Sequence, residues 1–347
     1  MTRCRLLPAA VIGLLLTASP LVSAADIAAT TVPPWPAGLP VYDHVVIVFE
    51  ENKDYDEIIG NSNAPYLNLT LRAEGATLTR MFGEEHHSQG NYFWLFSGSN
   101  QNVGFDDQVP TSQITAPNLG AALFVKGLSF KGYSEDLPAV GSLVEFGPNA
   151  AGKKSYARKH NPWVSFSFLP GDELSGAANL RFVDFPNREE NFNNLPTVAI
   201  VVPGQKHDMH DGSPKKSIPA GDAWLRKHID AYYQWAKSHN SLLIVTWDEN
   251  DRQFDSKHPL GITVSGLTDP FVAPSGAKGR SIQNRIPTLI AGAHVKQGDF
   301  PEGKGVTHVN LLRTLEAMYG LPRAGSQQPK AAAGGIRDDY VITDVFQ

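Results

Sequence analysis

The sequence predicts a layered α/β/α sandwich with a largely parallel central sheet, and three observations lead there. Short apolar, β-branched runs recur at Asp43 to Phe49, Thr197 to Val202 and Ser241 to Trp247, the pattern of strands covered on both faces. Segments of helical spacing separate them, which is the alternation that builds parallel sheets. The runs also end in polar groups: Glu50-Glu51-Asn52, the loop His207 to Asp211, and Asp248-Glu249. Open α/β sheets place ligands at such strand ends.

The chain has 347 residues, 41% hydrophobic and 19% charged, ample for a sizeable core. Residues 1–24 read as an export signal. Arg3 and Arg5 precede the apolar run Leu6 to Leu16, and Val22-Ser23-Ala24 offers small residues for cleavage. That run falls short of the ~20 residues a spanning helix needs, so no stable membrane anchor is expected after cleavage, and the protein is expected in the periplasm or secreted. The single cysteine, Cys4, lies in this leader, which leaves the mature chain no thiolate nucleophile and no disulfide. Losing Arg3 and Arg5 takes the formal charge from -5 to -7, and an acidic chain has no broad surface for nucleic acid. Residues 25–40, rich in Ala, Thr and Pro, read as a loose N-terminal segment. One folded domain is expected over 41–325 and a loose tail over 326–347.

Along that domain, Pro65 to Arg72 suggests a short helix ended by Gly75. Leu119 to Val125 suggests a helix stopped at Gly127, and Ser129 to Tyr133 the strand after it. Gly221-Asp222 is expected to start a helix, because Leu225, Ile229, Tyr232 and Ala236 recur at spacings that line one face. Arg285 to Ala291 reads as a further strand. His308 opens a last helix through Met318, stopped at Gly320.

Ser88 stands just before the aromatic run Asn91 to Phe96, which reads as a buried helix opening after a polar loop. A serine there is a favoured helix cap. It also sits where unpaired N–H groups and the macrodipole favour an anion such as phosphate. A serine nucleophile needs a general base or a metal ion. The H-S-Q-G-N context lacks the G-x-S-x-G turn of Ser-His-acid hydrolases. Glu51, Asn52, Asp248 and Glu249 instead supply oxygen donors suited to a hard divalent cation, whose identity stays open.

These residues carry a resemblance. H-V-V-I-V-F-E-E-N, H-H-S-Q-G-N-Y-F-W-L-F-S-G, Y-A-R-K-H-N-P-W, D-M-H-D-G and S-L-L-I-V-T-W-D-E-N, in this order from about Asp43 to Gly320, are similar to the bacterial and fungal phosphoesterase family. That family includes secreted acid phosphatases and phospholipases C within the alkaline phosphatase superfamily. The resemblance implies an alkaline-phosphatase-like fold, Ser88 as nucleophile, and a metal site of Glu51, Asn52, Ser88, Asp248 and Glu249. It implies that Asn52, Asn91 and His160 bind substrate phosphate and that Asn91, His160 and His210 serve catalysis, His210 as proton donor to the leaving oxygen. Asp208, Asp211 and His308 are weaker members, each with a plain structural explanation. The family pattern H-P-S-x-P-N-Y has prolines where this chain has His87 and Gly90, which implies a differently framed Ser88.

The expected activity is that of an exported acid phosphatase acting on a small phosphomonoester, a phospholipid headgroup among the candidates. The alternatives are a phospholipase C-type phosphodiesterase and, from another class, a non-catalytic binding protein for phosphate or a phospho-ligand.

Overall fold

The computed structural model describes residues 32–103, 106, 110–148, 154–166, 177–251, 284–303, 305–325 and 336–347. The proposed leader lies outside the described residues.

Twelve strands are described: β1 (His44–Glu50), β2 (Ala76–Leu78), β3 (Met81–Phe82), β4 (Phe130–Ser134), β5 (Phe146–Pro148), β6 (Lys154–Ala157), β7 (Asn179–Arg181), β8 (Val198–Val202), β9 (Ser241–Trp247), β10 (Thr288–Gly292), β11 (Gly298–Phe300) and β12 (Val306–Thr307). Eight of them form the main sheet in the order β11-β2-β10-β9-β1-β8-β4-β7. The block from β9 to β7 is parallel. The strand expected over Arg285 to Ala291 is β10, which runs antiparallel to β9. In the parallel block Val48 lies opposite both Val201 and Val245, so β1, β8 and β9 deliver their carboxyl ends to one edge. Val45 to Val48 are wholly buried, the reason these strands are apolar without alternation.

Successive strand residues face opposite sides of a sheet, and the end of β1 shows that both sides are covered. Phe49 stacks on Tyr92 of helix α1 (Ser88–Ser97), with ring centroids 4.2 Å apart. Glu50, turned the other way, feels the charge of Asp222 in helix α3 (Pro214–His228). All ten residues of α1 are buried, as suits a helix apolar around most of its girth. Helix α2 (Leu119–Val125) keeps its expected bounds, with the Asn118 side chain capping Ala121 N. Helix α4 is Asp230–Ala236, and α5 (His308–Tyr319) ends at Gly320 in a left-handed cap.

Three expectations are corrected. The helix expected from Gly221 starts at Pro214 and gives way to α4 after His228. Gly221 is interior, where a Cβ would come within 2.5 Å of Met209 Cγ and 2.8 Å of His207 O, so its role is close approach to a loop. The short helix expected over Pro65 to Arg72 does form, widened to a π-type turn at Leu67–Leu71 and ended at Gly75 after Arg72–Glu74. The C-terminal stretch is not loose over 336–347: Ile342 N donates to Thr314 Oγ1 at 3.0 Å, Lys296 N to Val345 O at 2.8 Å, and Phe346 is buried beside Tyr42. The N-terminal segment is likewise pinned at Trp35, whose indole donates to Leu321 O at 2.8 Å. Among the described residues no helix is long and apolar enough to cross a membrane.

Candidate active site

Three strand ends are stitched together before any side chain is considered. Asp248 N donates to Glu50 O at 3.1 Å, and Glu51 N donates to Asp208 O at 2.7 Å. Asn52 turns the chain with a φ of 40°, a left-handed conformation asparagine tolerates better than most residues. Its N–H then reaches Asp248 Oδ1 at 2.9 Å and its Nδ2 reaches Glu249 Oε1 at 3.2 Å. The parallel register thus brings Glu51, Asn52, Asp208, Asp248 and Glu249 to one place.

Ser88 comes to them from α1. It is the first helical residue rather than the cap; His87 holds the cap position with a φ of 76° and makes no side-chain cap bond. A bulky residue at such a φ is strained, and strain of this kind collects at functional sites. Ser88 Oγ donates to Glu51 Oε2 at 3.0 Å, and Tyr92 OH donates to Glu51 Oε1. Glu249 Oε2 receives His87 N at 3.1 Å and pairs with His86 Nδ1. Gln89 N donates to Asp106 Oδ1 at 2.9 Å, and the other oxygen of Asp106 binds Lys159 at 2.7 Å.

Asn91 is placed with the loop rather than with Ser88. Its Oδ1 accepts from Glu84 N at 2.8 Å and Glu85 N at 3.2 Å, while its Nδ2 donates to Glu85 O at 2.7 Å. Gly90 is framed by the same loop: a Cβ there would lie 2.0 Å from Glu85 Oε1. The side chain of Glu85 therefore fills the space that the second family proline would need.

The histidines divide. His160 is buried, stacked on Tyr92 with centroids 5.0 Å apart, and its Nε2 lies 3.2 Å from Glu51 Oε1 without a hydrogen bond. His210 stands at the exposed rim, its N–H on Asp208 Oδ1 at 2.8 Å and its ring beside Asp211 at 3.0 Å. It is near enough that its charge bears on His160. His308 is a packing residue, with Nε2 2.8 Å from Trp247 O and its ring stacked on Phe49.

Crowded carboxylates dominate the electrostatics. Burial pushes Glu51 up to about 7 against the opposing pull of Lys159, Tyr92 and Ser88. Burial, joined by the charge of Glu51, raises Asp208 and Asp248 well above the carboxylate range. Burial also holds His86 down at about 4 and His160 well below its usual range. Asp248 Oδ2, Asp208 Oδ2 and Asn52 Oδ1 are buried without a hydrogen-bond partner. Buried, mutually repelling oxygen donors of this kind fit a hard divalent cation, which supplies the missing positive charge. Glu249 has both oxygens engaged by Asn52, His86 and His87, so it orients its neighbours in this arrangement. Asp54, Glu57 and Asp251, a few residues beyond Asn52 and Glu249, also bring carboxylate oxygens within 4.8 Å of one another. They are in part exposed, and exposed acidic groups are common without a cation.

Sequence reading missed His86, Tyr92, Lys159 and Asp106. Tyr92 was within reach, since it follows Ser88 by four residues in a helix and so shares its face. His86, Lys159 and Asp106 carry no spacing signal and are gathered only by the fold.

The Phosphoesterase family model matches residues 62–322. A phosphatidylinositol-3-phosphatase of Mycobacterium tuberculosis is 42% identical over 289 residues, covering 83% of this chain and 81% of that protein. A probable acid phosphatase of Kluyveromyces lactis is 26% identical over 285 residues, 80% of this chain but 58% of the yeast protein. Among solved structures, the lipoteichoic acid synthase LtaP of Listeria monocytogenes superposes with a TM-score of 0.53 at 14% identity, over 90% of this chain and 81% of its own. A protein of the alkaline phosphatase superfamily from Vibrio parahaemolyticus gives 0.51 at 12% identity, over 86% and 71%. These last two likenesses concern the fold alone. The extent of the family match and the identity to the mycobacterial enzyme establish that this chain belongs to the Phosphoesterase family, as a hydrolase acting on phosphoric ester bonds.

Proposed function

We propose that the protein is an exported phosphomonoesterase of the acid phosphatase type in which Ser88 is the nucleophile. The observation that carries this reading is the Ser88 hydroxyl donating to buried Glu51 at 3.0 Å, where three parallel strands end. Glu51, Asn52, Ser88 and Asp248 would hold a divalent cation, with Glu249 beside them fixing Asn52 and His86. Such a cation supplies positive charge to the phosphoryl oxygens and eases ionisation of the hydroxyl.

The chain's own residues do the rest. Ser88 Oγ forms a bond to phosphorus as the ester oxygen leaves, and its proton passes toward Glu51 Oε2. Asn52 steadies a phosphoryl oxygen, and His160 lines the same wall. Asn91 acts as a positioning residue by fixing the loop before Ser88. His210, at the rim, gives its proton to the departing alkoxide. Water, giving a proton to the now neutral His210, then bonds to phosphorus as the Ser88 Oγ–phosphorus bond breaks; Ser88 takes its proton back from Glu51 and phosphate leaves. Positioning and charge stabilisation supply most of the acceleration, because phosphoryl transfer asks for little covalent work from the protein.

The name of the mycobacterial relative specifies a phosphomonoester on a lipid headgroup, which favours a monoester over the phosphodiester of a phospholipase C. The test compares phosphate release from p-nitrophenyl phosphate with turnover of p-nitrophenylphosphorylcholine, in wild type and in Ser88→Ala, before and after chelation. The expected result is monoester turnover that Ser88→Ala and chelation both abolish. Preference for the diester, or a Ser88→Ala variant as active as wild type, would overturn the reading.

A further inference from the structure

Asp106 sets an anion beside the group that is to react. Its carboxylate bridges two residues: Oδ1 accepts from the backbone N–H of Gln89 at 2.9 Å, and Oδ2 binds Lys159 Nζ at 2.7 Å. Gln89 follows Ser88 in the first turn of α1, a ten-residue helix whose positive end favours an anion. Lys159 precedes His160, whose Nε2 lies 3.2 Å from Glu51 Oε1, and Ser88 Oγ donates to the other oxygen of Glu51. The N–H and the ammonium thus come from two elements that meet only at the nucleophile.

Two oxygens on one central atom, held by a helix-end N–H and a cation, form the contact pattern of a bound phosphoryl group. Two further polar groups on the same stretches of chain are buried without a hydrogen-bond partner: His160 Nε2 and both polar atoms of the Gln89 carboxamide. Hydrogen-bonding capacity left open at such depth calls for an occupant. The charge of Lys159 reaches the reacting groups, since it is the largest influence opposing the effect of burial on Glu51. Asp106 and Lys159 are both partly exposed, with side chains 22% and 20% accessible, and such a pair holds little stability and can open. A phosphate arriving with Asp106 still in place would meet a carboxylate on the same donors, where like charges repel.

We propose that Asp106 is a built-in stand-in for the substrate phosphate: a phosphoryl group displaces its carboxylate and takes over both the Gln89 N–H and Lys159 Nζ, which makes Lys159 a substrate-binding residue. The proposal rests on the phosphomonoesterase reading of Ser88 and deepens it. Return of the Asp106 carboxylate to the same donors then assists release of the phosphate product.

The test is calorimetric titration of inorganic phosphate into the full chain in the presence of a divalent cation, for wild type, Asp106→Asn and Lys159→Met. Asp106→Asn keeps an oxygen for the Gln89 N–H but offers Lys159 no charge. A ligand's apparent affinity is reduced by the fraction of molecules whose site is closed, so this variant is expected to bind phosphate about ten-fold more tightly than wild type and to show a lower KM for p-nitrophenyl phosphate. Lys159→Met loses a charged hydrogen bond and is expected to bind phosphate about ten-fold more weakly. Weaker or unchanged binding by Asp106→Asn would mean that Asp106 serves only to hold Lys159 and α1 in place, and it overturns the proposal. Lys159→Met that binds phosphate like wild type overturns it equally. Should either variant fail to fold, Asp106→Ser or Lys159→Gln takes its place under the same criteria. Tighter phosphate binding by Asp106→Asn without turnover of any ester leaves the stand-in standing and removes the phosphomonoesterase reading. Turnover that Ser88→Ala abolishes, with a phosphate affinity that Asp106→Asn does not move, does the reverse.

Discussion

Ser88 Oγ donates to Glu51 Oε2 across 3.0 Å, joining the first turn of α1 to the residue that follows β1. In the proposed reaction this bond gives the serine proton a destination, and it holds the hydroxyl at the strand ends. Glu51→Gln keeps the shape but removes the acceptor charge and one cation donor. It should lower kcat on p-nitrophenyl phosphate by about 10²–10⁴-fold and weaken divalent-metal binding measured by calorimetry. Unchanged metal affinity with unchanged kcat would exclude Glu51 from the site.

Tyr92 OH takes the second oxygen of the same carboxylate, and this bond favours its ionised form. Tyr92→Phe removes a hydrogen bond to a charged group, worth about 1.5–3 kcal/mol. The sign follows directly: without it Glu51 holds its proton to higher pH. The acidic limb of kcat/KM should therefore move to higher pH, with activity falling about ten-fold or more below pH 7, the decade expected from ~1.4 kcal/mol. A pH profile superimposable on wild type would show that Tyr92 only fills space.

How much of this could be read without a fold depends on what each residue answers to. Glu51 and Asp248 announce themselves because each follows a short apolar run that reads as a buried strand, and parallel register gathers them; Asp208, a weaker member in sequence, joins them through Glu51 N on its carbonyl. The family resemblance implies that Asn91 binds phosphate, yet the fold turns its amide onto Glu84 and Glu85. Gly221 reads as a helix start because the apolar spacing becomes regular only from Leu225; close packing against Met209 is a tertiary demand that spacing does not reveal. The antiparallel direction of β10 and the return of residues 336–347 to Thr314 and Val295 depend on contacts far apart in the chain.

Gly90 tests how the nucleophile loop is framed. Helix propensity alone makes Gly90→Ala stabilising by about 1 kcal/mol. The new Cβ, however, would fall 2.0 Å from Glu85 Oε1. That oxygen accepts from Trp94 Nε1 at 3.2 Å, while the other carboxylate oxygen accepts from Asn100 Nδ2 at 3.1 Å. Displacing Glu85 breaks both bonds, so Gly90→Ala should destabilise by roughly 1–3 kcal/mol in denaturant titrations. Gly90→Ala in a Glu85→Ala background should lose most of that cost. Equal destabilisation in the two backgrounds would place the strain elsewhere.

Glu84 gives a stability signature separable from catalysis. Its Oε1 accepts from Val309 N at 3.2 Å in the first turn of α5, while Oε2 is buried without a hydrogen-bond partner. Burial pushes its carboxyl up to about 8, outweighing the hydrogen bonds from Thr307 and Val309 that favour the charged form. Because the folded value lies above the unfolded one of about 4.5, the folded state binds the proton more tightly. The ionisation penalty is therefore absent at low pH, grows as pH rises above the unfolded value and is complete above about 8. Glu84→Gln retains an acceptor for Val309 and removes the charge. It should be more stable than wild type at pH 9 by on the order of 1–3 kcal/mol and lose that advantage toward pH 4, as read from denaturant midpoints. A stability difference independent of pH would mean that Glu84 is already neutral, or already compensated, across the whole range.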